Sequence, residues 1–582
     1  MRYSKNFFIF LLAEALLFSC SKKVLDLRPL GQLDPTAVTN KQGVAALLIG
    51  AYSLLDGVGT PNSAYPFESA GSNWVFGSVT GSEAHVGSEP TDQPELASIE
   101  TFSTTASNEY VLSRWGALYD GAQRCNDVLR TMRKVSGLTD ADTIEFRAEA
   151  LFLRAFYHFE AKKMWNRIPF VDENITYEAG NYKMSNEVDT WPFIEEDLRY
   201  AVDHLPESQG EQIGRANHYS AEALLAKVYL FQHKYDAAKI LLDEIISSKK
   251  YRLKKYSENF NASTKNNEES VFAAQSSVND GAQGGNGNSG DALNQPNGNS
   301  LSQCCGFFQP SQYFVNHFKT VAATGLPDLD NFNQVDVKND IGLFSSDPFE
   351  PYDGTLDPRL DWTVGRRGIP YLDWGIHPGF DWIREQSSGG PYSPKKTSIY
   401  ASQVGTYSQA SSWTIGENAI NINLIRYADV LLWAAEAEVM STNGSLAKAQ
   451  DYVNQLRNRA NDSSDWVYKY KDVNNPAAGY SDVKAANYVV KPYPGVWTDH
   501  TFAMKAIRYE RMLELGMEGH RFFDLVRWGI AENDIKIYLK KEVNISGYLS
   551  DAEFKPAQDS YFPIPQSEID KSDHRLNQNP GY

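Results

Sequence analysis

Residues 217–249 read NHYSAEALLAKVYLFQHKYDAAKILLDEIISSK, and the spacing of their small and apolar side chains decides the fold class. Ala221, Leu224, Leu225, Val228 and Tyr229 recur at helical period and mark one buried face. After a short turn at His233-Lys234, the pattern resumes with Tyr235, Ala238, Leu241, Leu242 and Ile245. Helices joined by so short a link run antiparallel, and small residues on the facing sides let their axes approach. A second pair is predicted over 420–460, with Ala434, Ala435 and Ala437 on its first helix and Leu446, Ala449, Val453 and Leu456 on its second.

Each stretch resembles a tetratricopeptide helix pair. Because the two lie far apart in the chain, they predict a mainly α scaffold interrupted by a large insertion rather than a continuous solenoid. Upstream, helices are predicted over 37–55 and 141–165, the latter burying Phe146, Leu153, Phe156, Tyr157 and Met164. Trp115, Tyr119, Ala122, Asn126 and Leu129 share another helical face, which makes Trp115 a core residue and Asn126 a satisfied interior amide. Between these elements lie irregular stretches: 57–100, 255–419 and 462–500. Within the second, GAQGGNGNSGDALNQPNGNS at 281–300 is too rich in glycine and asparagine to build a packed element. The only strand candidate in it is Ser270–Ala274.

The first twenty residues, MRYSKNFFIFLLAEALLFSC, follow the export pattern of a basic start and a short apolar run. Phe7 to Phe18 is shorter than the roughly 20 residues a membrane-spanning helix needs. Leu17-Phe18-Ser19-Cys20 resembles a bacterial lipobox, so residues 1–19 are expected to be removed and Cys20 acylated, palmitate included. Residues 20–36 then form the anchor and tether.

The net charge of −18 excludes an electrostatically held nucleic acid partner or recruitment by anionic lipid headgroups. Adjacent Cys304 and Cys305, with Cys125, offer neither a CxxC pair nor His/Cys ligand spacing, so no disulfide-stapled fold, metal centre or cofactor is expected. The chain lacks GxxxxGK[ST], HExxH and GxSxG motifs, and the Gly-rich 281–300 segment has no lysine to grip a phosphate.

IRYERMLELGMEGHRFFDLVRWG at 507–529 and YFPIPQSEIDKSDHRLNQNPGY at 561–582 look like the hallmark stretches of the SusD/RagB family of Bacteroidetes outer-membrane lipoproteins. VLDLRPLGQLDP (24–35), RWGALYDGAQRCNDVL (114–129), LDPRL (356–360) and NINLIRYADVLLWAAEA (421–437) agree in the same order. The resemblance implies four tetratricopeptide-like helix pairs forming the scaffold (37–254 and 420–582) and a variable loop-rich face on the 255–419 insertion. It also implies a lipid-anchored protein at the cell exterior that caps a SusC-like TonB-dependent outer-membrane transporter. Such a protein captures a polysaccharide or oligosaccharide; some relatives bind peptides. Ser21-Lys22-Lys23 departs from the acidic residues that often follow the lipidated cysteine.

Glu510, Glu514 and Glu518 at four-residue spacing, with His520 and Asp524, invite a glycosidase reading. Arg508, Arg511, Arg521 and Arg527 on the same block favour charge pairing instead, so no catalytic residue is expected. Asp357 and Arg359 are expected to form a structural turn. The candidate ligand residues are the loop tryptophans Trp362, Trp374 and Trp382, joined by Asn73 and Trp74 of the early irregular stretch. Indole faces stack on sugar rings, and an ordered aromatic platform in Gly/Pro-rich loop is costly to keep without a ligand.

Overall fold

The computed structural model describes residues 39–58, 65–283, 285–298 and 305–582. The expected leader, the lipidation site Cys20 and its tether lie outside them. Among the described residues no helix is long and apolar enough to cross a membrane.

The scaffold is a succession of packed helices: α1 (Lys41–Tyr52), α2 (Glu109–Met132), α3 (Asp140–Trp165), α4 (Trp191–His204), α5 (His218–Phe231) and α6 (Tyr235–Ser248). It resumes with α7 (Tyr427–Met440), α8 (Leu446–Ala460), α9 (His500–Leu515) and α10 (Ala531–Glu542). Antiparallel neighbours α2/α3, α5/α6 and α7/α8 make extensive contacts, and α6 packs directly on α7. In space, therefore, the two helix pairs are not interrupted, because the intervening residues loop out of a continuous stack. Strong local signals fix the helix starts. Asn217 accepts from the Ser220 N–H while Ser220 Oγ accepts from the Asn217 N–H, and Thr139 with Asp142 does the same for α3. The predicted small-residue faces are buried: Ala221, Ala238, Ala435, Ala437 and Ala449 are inaccessible. Trp115 is core, and Asn126 donates to the Val171 carbonyl and accepts from Arg154, both about as expected of an interior amide.

The insertion is closed at its base. Strand Ser270–Ala274 pairs antiparallel with Ile422–Arg426, so both ends of the loop-rich segment are zipped together where it leaves and rejoins the scaffold. Tyr427 N–H continues the seam by donating to the Glu269 carbonyl at 2.8 Å. Further out, pairings are short, among them Val364–Gly365 with Ser393–Pro394 and Tyr468–Tyr470 with Tyr480–Lys484. Cys305 is disulfide-bonded, which the sequence reading did not expect, while Cys125 is a free buried thiol.

The early stretch corrects the sequence reading most. Within 57–100, expected as a long ordered loop region bearing ligand contacts, residues 66–88 are almost wholly buried. They form a 3-10 turn (Pro66–Ser69), a π-helical turn (Trp74–Val79) and a strand (Ala84–Gly87) that pairs with Phe307–Pro310. Their glycines and serines serve close backbone packing. A Cβ on Gly77 would fall 1.9 Å from the Gly519 carbonyl oxygen, and the Gly519 N–H donates to Ser78 Oγ at 2.9 Å. Thus the segment threads beneath the turn between α9 and the short helix Arg521–Arg527, where side chains would not fit.

Candidate binding face

The acidic block on α9 is buried and fully committed. Glu514 is inaccessible; it accepts from Arg426 Nη1 at 2.6 Å and Arg359 Nη1 at 2.9 Å, and it also pairs with Arg459. Arg359 is held in addition by Asp357 at 2.8 Å and Glu510 at 2.7 Å, and Arg457 reaches Glu510 at 3.0 Å. Glu518 pairs with Arg426 and Lys396. Although burial alone would raise its pKa, the three guanidinium groups hold the Glu514 carboxyl well below the usual carboxylate range. Asp524, between Arg511 and Arg527, is lowered for the same reason. The network ties α9 to the insertion (Asp357, Arg359), its stem (Arg426) and α8 (Arg457, Arg459). These carboxylates face arginines rather than a cleft, so they form no acid–base pair for glycoside cleavage.

The structure does bring Trp362, Trp374 and Trp382 together. They meet in a small apolar cluster with Tyr371, Leu372 and Tyr400, and Trp362 bridges it to the main core. Their exposures differ, however. Trp382 is 7% exposed and packs edge-on against His377 at 5.1 Å and Tyr371 at 5.5 Å. Trp362 is half-buried under Lys395 and donates its indole N–H to the Asp465 carbonyl at 2.6 Å. Trp374 is also half-buried, with its N–H on the Ile399 carbonyl at 2.8 Å.

Around Trp374 the surface is organised by residues that the sequence reading passed over. Tyr470 Oη donates to the Leu372 carbonyl at 2.7 Å and accepts the Gly375 N–H at 3.2 Å; Tyr480 Oη also donates to Leu372. Tyr470 and Tyr480 stack at 5.3 Å. Asp373 accepts from the Ala401 and Ser402 N–H groups, fixing the turn that carries half-buried Tyr400. Trp374, Tyr400 and Tyr480 thus present partly exposed rings, with the polar ends of Trp374 and Tyr480 satisfied by backbone carbonyls. Tyr468 and Tyr470 lie in the irregular 462–500 stretch, and nothing in their spacing points to Trp374.

Trp74 and Asn73 are elsewhere in burial, if not in region. Trp74 is 1% exposed and packs between Phe307 and Phe308, with ring centroids at 6.4 and 5.5 Å. Asn73, at φ 52°, donates to Glu160 at 3.0 Å beneath the surface. Both lie in the packed interior, apart from the partly exposed rings around Trp374. A separate cavity of about 500 Å³ lies between α2, α3 and α4. Its charged wall is spent on itself, since Arg154 pairs with Asp197 at 2.7 Å and Glu173 at 2.6 Å, so it is a weaker candidate than the aromatic face.

Residues 268–582 match the model of the SusD family, and residues 25–230 match a model described as "Starch-binding associating with outer membrane". The chain belongs to the SusD family. Among curated relatives, a SusD-like protein of Bacteroides ovatus is 25% identical over 47% of this chain and 50% of its own length. SusD-like protein P25 of Formosa agariphila is 25% identical over 72% of this chain and 70% of its own. The Bacteroides thetaiotaomicron starch-binding protein SusD is 29% identical over 31% of this chain and 33% of its own. Among solved structures, a laminarin-binding SusD-like protein superposes with a TM-score of 0.66 at 24% identity, covering 94% of this chain and all of that one. Surface glycan-binding protein A of Bacteroides thetaiotaomicron, in complex with laminarihexaose, gives 0.64 at 21% identity, covering 93% of this chain and all of that one. The SusD-family relationship and the helix-rich SusD-like fold expected from the sequence are both present.

Proposed function

We propose that this SusD-family protein is a non-enzymatic, surface-exposed glycan-binding lipoprotein that hands its ligand to a SusC-like TonB-dependent transporter. The observation that carries the reading is the aromatic face where Trp374 and Tyr400 of the insertion meet Tyr480 of the 462–500 stretch, all three partly open to solvent. Rings held in place by backbone hydrogen bonds lose little freedom when a sugar stacks on them, so binding costs little ordering. Trp362 and Trp382 support this face from below. Laminarin and laminarihexaose appear in the names of two structural neighbours, which makes β-glucan oligosaccharides the first ligands to try. Binding is capture and retention with no bond broken, because the carboxylate block on α9 is closed to substrate.

The test is a panel of polysaccharides, oligosaccharides and peptides titrated into the purified protein, with reducing ends assayed in parallel. Glycan binding without turnover is expected. Selective peptide binding would make the protein a peptide-capturing lid instead, and mutation-sensitive release of reducing ends would make it a glycosidase.

Anchoring is tested separately. The Leu17–Cys20 motif predicts a mature chain beginning at an acylated Cys20. Intact mass spectrometry of the protein from its native membrane should show loss of residues 1–19 and addition of acyl groups; a mature Met1 terminus would contradict it.

A further inference from the structure

His218 is the first residue of α5, Glu222 lies one turn along the same helix, and Glu244 is near the end of antiparallel α6. His218 and Glu222 are one helical turn apart in the sequence, and the helix-pair register brings Glu244 to them. Their nearest ligand atoms all lie within 4.8 Å of one another. His218 Nε2 is 3.4 Å from Glu222 and 3.9 Å from Glu244. On the other side of the ring, Nδ1 is 2.8 Å from the Val202 carbonyl. A carbonyl only accepts, so Nδ1 carries the proton and Nε2 is left to offer its lone pair to the carboxylates' side. This is the arrangement that orients a metal-binding imidazole.

A second observation concerns Glu222 itself. Its side chain is 1% exposed, and its Oε2 has no hydrogen-bond partner. Among the described residues, no lysine or arginine lies within ion-pair distance of Glu222 or Glu244, and the basic group near both is the His218 imidazole. Buried carboxylates elsewhere in this protein are met by arginines, as Glu514 is, or by lysines, histidine or neutral donors, as Glu438, Glu542 and Asp291 are. An unpartnered buried carboxylate oxygen is expensive, and a cation would satisfy it.

We propose that His218, Glu222 and Glu244 bind a divalent transition metal ion, best matched by Zn²⁺, which clips the start of α5 to the end of α6. The donor set favours such an ion. One imidazole nitrogen and two carboxylates suit zinc, whereas Ca²⁺ and Mg²⁺ take oxygen ligands. Distances agree as well: tetrahedral zinc with bonds of about 2.1 Å separates its ligands by about 3.4 Å, the observed His218–Glu222 spacing. Glu244, whose side chain is 58% exposed, is free to swing the remaining distance. The fourth position is left to water. This inference does not depend on the glycan reading.

The experiment is equilibrium dialysis of the intact purified chain against Zn²⁺, followed by metal analysis, with Glu244→Ala and His218→Asn alongside. Glu244 is exposed, so its truncation leaves the fold in place, which circular dichroism verifies. The parent is expected to retain one Zn²⁺ per chain that excess Ca²⁺ does not displace, and each variant to bind it at least tenfold more weakly. Co²⁺ in place of zinc should give visible d–d absorption in the parent and lose it in both variants. Absence of stoichiometric Zn²⁺ in the parent, or equal binding by parent and both variants, would overturn the proposal.

Discussion

Replacing Glu514 with Gln should lower the stability of the protein by about 3 kcal/mol or more, the scale on which removing one partner from a buried ion pair leaves charge uncompensated. Three arginines converge on this carboxylate, from the insertion turn, its stem and α8. The amide keeps one acceptor oxygen but no charge, so Arg359, Arg426 and Arg459 must share the remaining acids. The effect has a defined pH dependence. The folded-state pKa of Glu514 lies well below its ordinary value, which is about 4.3 in an unfolded chain. Its contribution is therefore fully present above that value and is lost as pH falls through the lowered one. The gap between parent and variant should be wide at pH 7 and narrow in acid. Urea midpoints at pH 7 and in acid measure it; equal midpoints at pH 7 would show that the arginines do not need this carboxylate. Binding of ligand by the variant that remains folded should be unchanged, since the network touches no open surface.

Trp74→Ala should be as damaging for a different reason. The indole is 1% exposed and fills space against Phe307 and Phe308, so truncation removes its burial and leaves a cavity. Large-to-small core changes of this kind cost about 3–5 kcal/mol. Thermal unfolding followed by circular dichroism should show a clearly lowered melting temperature. An unchanged melting temperature with weakened glycan binding would instead return Trp74 to the ligand face.

That contrast shows where sequence reading succeeds and stops. The helix pairs are legible because Ala221, Leu224 and Val228, or Ala434 and Ala437, repeat at the helical period whatever their partners are. The strand Ser270–Ala274 is legible for the same local reason. Its partner, Ile422–Arg426, is not, because it reads as the approach to a helix, and pairing across the whole insertion leaves no periodic trace. The glycines and serines of 66–88 look like loop because composition does not distinguish a mobile surface from tight backbone packing. Gly77 against Gly519 is the latter. Likewise, clustered tryptophans mark a place where aromatic packing matters, but not which ring faces water. Trp74 is enclosed by Phe307 and Phe308, whereas Trp374 is left half open by Tyr400, Tyr470 and Tyr480. The charge pairing of Glu510, Glu514 and Glu518 was foreseeable from the arginines nearby. The arginines that hold Glu514 are different ones, supplied by distant segments.

Calorimetric titration of glycan into the parent protein and Trp374→Ala is the most direct test of the central reading. The indole sits at the edge of a small satellite cluster, so the variant should keep its helical spectrum. Loss of a stacking anchor should weaken binding by more than about 1 kcal/mol, in keeping with aromatic hot spots. The account predicts saturable binding of an oligosaccharide by the parent, a clear loss of affinity in Trp374→Ala, and no reducing ends released by either. Identical affinities in parent and variant would contradict it and move the glycan site off the insertion face.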